Sequence, residues 1–314
     1  MEKKITNKYL HKAHEAKQDE FYTLLSDIEK ELGYYKEHFK GKIVFCNCDD
    51  PTESNFWKYF ALNFRFLGLK KLIATHYEEE KPSYKLEIVN GESEAIRTEL
   101  KQNGDFRSPE CIEILKESDI VVTNPPFSLF REYLAQLIEY DKKFIILGNM
   151  NAVGYRDIFK MLAGNKIWLG HSLRGGGIEF RVPEDYPENK TINRVDKDGN
   201  KFVKMGNVRW FANLDYKERH EDLILYKKYY GNENEYPKYD NFNAINVDRI
   251  KDIPMDYAEV LGVPITFIEQ YNPEQFDIIR FRKGNDDKDL TVNGEYTYSR
   301  ILIKNKRVTK WKLN

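Results

Sequence analysis

Residues 119–127, Asp-Ile-Val-Val-Thr-Asn-Pro-Pro-Phe, constrain the fold of this chain more than any other segment. An acid opens a short apolar, β-prone run. The run stops at Asn124, Pro125, Pro126 and Phe127, and a helix-like stretch follows. Proline brings no N–H to a strand ladder and holds the residue before it in extended geometry. The chain therefore leaves its sheet abruptly at the carboxyl end of a strand, the edge where open α/β sheets place their ligands. The same residues also read as a plain turn between strand and helix, because Asn-Pro often initiates one.

The flanking pattern extends this reading. Residues 41–46, 71–75, 119–123 and 143–147 are apolar runs that predict buried strands. Residues 54–67, 109–116, 128–139 and 155–162 predict helices. Such alternation implies βαβ units and a mainly parallel sheet. Residues 166–170 and 208–212 are candidates for its last strands, and 85–89 for an edge hairpin strand. Residues 7–40 read mostly as helix, interrupted at 19–23, with Gly33 as terminator. Residues 171–207 read as a loop-rich insertion, with a hairpin signal at Asp198-Gly199. Beyond residue 217 Tyr, Asn, Asp and Pro increase and the alternation fades. The expected division is 1–217 for the α/β domain and 218–314 for an accessory region.

A chain of 314 residues with 41% hydrophobic and 32% charged residues can bury a substantial core. No apolar run reaches the length of a membrane span, and the first residues lack the apolar centre of a secretory signal, so a cytoplasmic setting is expected. Cys46 and Cys48 flank Asn47, and Cys111 is remote. That is neither a disulfide framework nor a convincing zinc signal. His11 and His14 have a helical metal-compatible spacing but no evident third ligand, so no metal is expected. The net charge of −1 does not itself suggest a polyanionic partner, although phosphate affinity depends on local patches. Arg300, Lys304, Lys306, Arg307, Lys310 and Lys312 follow the last acid, Glu295, with Tyr296, Tyr298 and Trp311 interspersed. This stretch reads equally as a basic contact surface or as a solvated edge strand.

At the motif, the Asn124 side-chain oxygen and the Pro125 carbonyl sit on a stiff backbone beside the Phe127 ring. This set suits gripping the exocyclic amino group of a flat ring. Asn-Pro-Pro-Phe after a strand resembles the catalytic motif of methyltransferases that use S-adenosylmethionine to methylate amino nitrogens, above all N6 of adenine in DNA. Six further segments narrow the resemblance: Glu-Phe-Tyr-Thr at 20–23, Cys-Asn-Cys-Asp-Asp-Pro at 46–51, Ser-Asn-Phe-Trp-Lys-Tyr-Phe at 54–60, Leu-Gly-Asn-Met-Asn at 147–151, Tyr-Pro-Lys-Tyr-Asp at 236–240 and Val-Pro-Ile-Thr-Phe at 263–267. Together with 124–130 they resemble the EcoRI-type adenine-specific DNA methyltransferase family over most of the chain.

The resemblance implies an α/β fold with a Rossmann-like S-adenosylmethionine-dependent methyltransferase sheet, a DNA-contacting insertion and a C-terminal recognition region. Asn124, Pro125, Pro126 and Phe127 become catalytic, acting on an adenine flipped out of duplex DNA. Phe21, Tyr22 and Thr23 close over the methionine end of the cofactor. Cys46, Asn47, Asp49 and Asp50 follow the first strand, where the glycine-rich turn usual in amino-methyltransferases is missing. Tyr77 and Glu78 follow the second strand, where an acid meets the ribose. Asp105 and Phe106 meet the adenine ring of the cofactor. Plain alternatives stay open: an Asx turn capping a helix at 47–51, solvated charge at 78–80 and a turn at 104–106. Expected DNA contacts are Arg174, Arg181, Arg194 and Lys197 in the insertion, and Arg300, Lys304, Lys306 and Arg307 in the tail. The partner is double-stranded DNA, and the pattern is compatible with a monomer and with a cognate restriction endonuclease that shares the target without a stable complex. Competing readings are methylation of RNA adenine or of a protein glutamine amide, and a non-catalytic nucleic-acid-binding protein on a methyltransferase scaffold.

Overall fold

The computed structural model of the chain describes residues 21–48, 50–78, 82–91, 94–184, 186, 191–282 and 289–309. Among the residues singled out above, His11, His14, Glu20, Asp49, Glu79, Glu80, Lys310, Trp311 and Lys312 lie outside them. Contacts divide the chain into two units. One takes the described residues of Met1–Met150 with Gly170–Asp215, the other those of Asn151–Leu169 with Tyr216–Asn314. Among the described residues no helix is long and apolar enough to cross a membrane.

The first unit is mixed α/β. In chain order it contains β1 (Tyr22–Thr23), α1 (Leu25–Leu32), β2 (Ile43–Cys46), α2 (Asn55–Leu62), α3 (Phe64–Leu67), β3 (Lys71–Thr75), β4 (Tyr84–Val89), β5 (Ile96–Glu99), α4 (Pro109–Glu117), β6 (Ile120–Thr123), α5 (Phe130–Glu139), β7 (Lys143–Asn149), β8 (Ile178–Val182), β9 (Arg194–Val195), β10 (Lys201–Met205) and β11 (Val208–Ala212). Seven strands lie in the order β5-β4-β3-β2-β6-β7-β11. The central four are parallel, with Val44 opposite Leu72 on one side and Ile120 on the other, and Thr123 opposite Ile146. Their side chains are buried nearly throughout, as the unbroken apolar runs require. Each fully buried Val, Ile or Phe contributes about 1.5–3 kcal/mol to this core.

The chain runs from β2 outward to β3, β4 and β5, then crosses back to β6 on the other side of β2. The order therefore reverses between β2 and β6, and their carboxyl ends open a crevice. Asp119 fastens the opposite edge, its carboxylate accepting from the Ile43 N–H at 2.8 Å. Ser54 caps α2 through the Phe56 N–H, and Ser108 caps α4 through the Cys111 N–H with Pro109 in the first turn.

Several local expectations change. Residues 54–67 form two helices, because the Asn63 side chain donates to the Tyr59 carbonyl at 2.8 Å and the backbone leaves helical geometry there. Gly33 opens a 3₁₀ turn over Gly33–Phe39. Residues 84–89 are not the edge, since β5, exposed along its whole length, covers them. The loop-rich 171–207 insertion also carries a sheet: β8, β10 and β9 pair antiparallel, and β1 joins the other side of β8. Ile178, Phe180 and Val182 alternate inward along β8, a period-two pattern short enough to be hidden among glycines. The Asp198-Gly199 hairpin does join β9 to β10, with Gly199 at φ +84°. In the second unit, Ile245–Asn246, Leu261–Pro264, Arg300–Asn305 and Phe276–Arg282 form a four-stranded sheet in that order.

Candidate active site

Asn124 is 7% exposed at the end of β6. Its Nδ2 donates to the Phe21 carbonyl at 2.8 Å. That contact fixes which way the amide faces, because only the nitrogen can donate. Oδ1 is then buried with no donor among the described residues. A buried acceptor left unmatched costs about 1–3 kcal/mol, so such atoms point to function. The Pro126 carbonyl accepts from Leu129 N–H and the Phe127 carbonyl from Phe130 N–H, so the turn passes directly into α5.

An aromatic wall surrounds the amide. The Phe127 ring lies 6.0 Å from Phe21 with planes at 22°, and 6.2 Å edge-on from Phe180. Phe21 also meets Phe180 at 5.6 Å and Tyr186 at 6.4 Å. Phe180 and Tyr186 belong to the insertion and were not among the candidates. The inward alternation along β8 is the signal that marks Phe180.

The crevice is braced from behind. The Thr123 hydroxyl donates to the Asn47 carbonyl and the Tyr133 hydroxyl to Asn47 Oδ1, tying β6 and α5 to the end of β2. Burial pushes the Tyr133 hydroxyl well above its ordinary value and keeps it a donor. Cys46 and Asn47 are each 2% exposed, so they build the floor. Cys48 turns the chain with φ +71°, a left-handed geometry usually left to glycine.

Beside it is a cleft of about 70 Å³ lined by Cys48, Tyr77, Asp105, Phe106, Arg107, Pro126 and Leu129. Three of the expected cofactor residues, Tyr77, Asp105 and Phe106, thus share this cleft with Pro126 of the Asn-Pro-Pro-Phe segment. Cys48, Arg107 and Leu129 were not expected. Arg107 holds both Asp105 oxygens, at 2.9 Å and 2.7 Å, and these bonds raise its pKa above the ordinary value. The loop geometry depends on Gly104, at φ +79°, where an added Cβ would overlap the His76 carbonyl oxygen. Glu78 lies nearby, its N–H donating to the Asn103 carbonyl at 2.8 Å.

Asp50 braces the turn ahead of α2 through one of its two oxygens. Its Oδ1 accepts from the Thr52 N–H and hydroxyl at 2.9 Å and 2.8 Å and from the Tyr84 hydroxyl at 3.1 Å, an Asx turn ahead of α2. Asp49 lies outside the described residues. Thr23, across from Phe180 on β1, gives its carbonyl to Asn55 Nδ2 at 2.7 Å, while its hydroxyl is buried with no partner among the described residues.

The cations expected to meet DNA are distributed unevenly. Tyr22, Arg181, Phe202 and Arg194 are cross-strand partners in a single row over four strands. Arg181 lies 4.8 Å over the Tyr22 ring and pairs with Glu53, and Arg194 lies 3.7 Å over Phe202 and pairs with Glu179. Lys197 is exposed at the hairpin tip, and Arg174 lies in the turn before β8. The tail reads differently from its sequence. Arg300 is 8% exposed and bound to Asn246 Oδ1 at 3.0 Å and Asp248 Oδ1 at 2.9 Å, so its guanidinium is held between a buried amide and an exposed acid of its own unit. Arg307 pairs with Asp222 and Glu274, Lys306 pairs with Asp277, and Lys304 stands opposite Asp277 in the sheet. The fold supplies these acids from distant sequence, which a local count of charge cannot register.

A family model described as adenine-specific methyltransferase EcoRI matches residues 9–306. The chain is 54% identical over 326 aligned positions to the type II methyltransferase M.EcoRI of Escherichia coli, covering 99% of this chain and 100% of that protein. It is 39% identical to the type II methyltransferase M.MpnI of Mycoplasma pneumoniae, over 95% of this chain and 98% of that one. It is 38% identical to the type II methyltransferase M.MgeORF184P of Mycoplasma genitalium, over 96% and 99%.

Proposed function

The chain belongs to the EcoRI family of adenine-specific methyltransferases, and we propose that it methylates N6 of a defined adenine in duplex DNA by the following division of labour. The mainly parallel sheet of the first unit acts as the Rossmann-like cofactor platform. S-adenosylmethionine takes the cleft beside Pro126, where Tyr77 and Phe106 offer ring faces, and Glu78, the residue after Tyr77, serves as an acceptor at its edge. The residues fit this group: the cleft lies where the strand order reverses and is walled by aromatic, apolar and acceptor side chains. When bound, the cofactor supplies an electrophilic methyl group.

The observation that carries the reading is the buried, unpartnered Asn124 Oδ1. One amino hydrogen of a flipped adenine would bond to it and the other to the Pro125 carbonyl. The nitrogen lone pair is thereby turned out of the ring plane towards the methyl donor, and alignment supplies most of the acceleration. Phe127 stacks on the base, and Phe180 and Tyr186 exclude water from the other side. The row Tyr22, Arg181, Phe202 and Arg194 faces the duplex together with Lys197, and the 218–314 region contributes target recognition. The enzyme works in the cytoplasm as a monomer.

Duplex DNA incubated with the protein and methyl-labelled S-adenosylmethionine should yield N6-methyladenine at one sequence context on digestion. Label on the cytosine amino group, or none, would overturn the reading.

A further inference from the structure

Phe276–Arg282 is the edge strand of the second unit's four-stranded sheet and pairs antiparallel with Arg300–Asn305. The register slips at Ile279, one extra residue between Ile278, opposite Ile303, and Arg280, opposite Leu302. A bulge of this kind re-aims the side chains that follow it. Without it, Arg280 and Arg282 would share the face of Phe276 and Ile278. With it, Phe281 takes that face and meets the Phe159 ring at 5.3 Å, while both arginines move to the face of Asp277. Arg282 then stands directly across from Arg300. Like charges in directly opposed positions destabilise a sheet, so this arrangement calls for anions.

The fold supplies them to the neighbours only. Arg300 holds Asp248, Lys306 holds Asp277, and Arg307 holds Asp222 and Glu274. Neither the Arg280 nor the Arg282 guanidinium has an ion pair or a hydrogen bond among the described residues. Arg280 is exposed, and Arg282 Nε is buried without an acceptor. A buried donor left unmatched is costly, and such atoms point to function.

We propose that Arg280 and Arg282 form a stripe through which the second unit grips the phosphate backbone of duplex DNA. Side chains two residues apart on a strand are about 6.8 Å apart, close to the separation of successive phosphates along one DNA strand. A guanidinium forks onto phosphate oxygens with two parallel hydrogen bonds. Bound phosphate gives Arg282 Nε its acceptor and screens Arg282 from Arg300. The inference rests on the DNA methyltransferase reading and deepens it by naming the cations of this unit that hold the partner.

The test is filter binding of cognate and scrambled duplexes at several salt concentrations. It compares wild type, Arg280→Gln with Arg282→Gln, Arg280→Lys with Arg282→Lys, and a charge-matched control with Lys217→Gln and Lys251→Gln, two exposed lysines of the same unit. Removing both arginines should reduce the slope of log affinity against log salt by nearly two, at about 0.9 for each phosphate no longer neutralised. Affinity should fall equally on both duplexes, because phosphate contacts carry no sequence information. The lysine pair should keep most of the slope, and the control should keep all of it. An unchanged slope in the glutamine pair overturns the proposal. So does an equal loss in the control, which reports net charge alone, or a loss confined to the cognate duplex, which reports base reading. Failure of the functional reading is a separate result, the absence of adenine methylation by the wild-type protein.

Discussion

Asn124 combines a committed donor with an unmatched acceptor in one side chain. Truncation to Ala removes both and should lower methyl transfer at least about a hundredfold, the scale found when a single preorganised polar group is removed from a reacting centre. A single-turnover assay on duplex DNA checks this, and near-full activity would remove the residue from the chemistry. Phe127→Ala should instead weaken the handling of the flipped base by about 1–3 kcal/mol, the worth of one stacking interaction, read as the discrimination between intact duplex and duplex with the target adenine replaced by an abasic site. Gly104 has a stability role. At φ +79°, with the His76 carbonyl oxygen where a Cβ would go, Gly104→Ala cannot be absorbed by a side-chain shift. It should cost upwards of roughly 1–3 kcal/mol in urea melts and displace Asp105 and Phe106 from the cleft.

The elements show which parts of the site are legible from local pattern. The parallel strands are, because a strand buried on both faces is an unbroken apolar run, as in Ile-Val-Phe-Cys and Ile-Val-Val-Thr. The motif is, because paired prolines end a strand wherever they occur. The insertion is not: its sheet needs β1, from far earlier in the chain, as its fourth strand, and glycines 175–177 dominate its local signal. Nor is its anchor. Glu31 of α1 is fully buried, and its carboxylate accepts from the His171 and Ser172 N–H groups at 3.1 Å and 2.7 Å and from the Tyr35 hydroxyl at 3.0 Å. From sequence it is one acid among the 51 acidic residues. Glu31→Ala strands three donors and should destabilise the protein by several kcal/mol, at about 1–3 kcal/mol for each left unsatisfied. Limited proteolysis should then open the chain near Leu173–Gly177 before it attacks the central sheet. Cleavage with wild-type kinetics would show that the anchor contributes nothing to holding the insertion.

At the scale of the whole molecule, a chain with net charge −1 must bind a polyanion through selected surfaces. The cations divide by what the fold has placed around them. Arg300 is buried in the second unit, bonded to the buried Asn246 and the exposed Asp248, and losing a hydrogen bond made by a charged group costs about 1.5–3 kcal/mol. Arg300→Gln should therefore lower the melting temperature and leave the salt dependence of DNA binding unchanged for the fraction that stays folded. Arg181 and Arg194 are partly solvent-exposed and arrayed over aromatic rings on adjoining strands. Their partners Glu53 and Glu179 are surface acids, so exchange for phosphate costs little, surface pairs being worth at most about 1 kcal/mol. Neutralising both arginines should reduce the slope of log affinity against log salt by about one for each phosphate that is no longer neutralised. If affinity falls equally on cognate and scrambled duplexes, the row only grips the backbone. A fall confined to the cognate duplex means that one of the two reads a base, at about 1–3 kcal/mol for that position. Filter binding at several salt concentrations separates these outcomes, and an unchanged slope would place the DNA on another face of the protein.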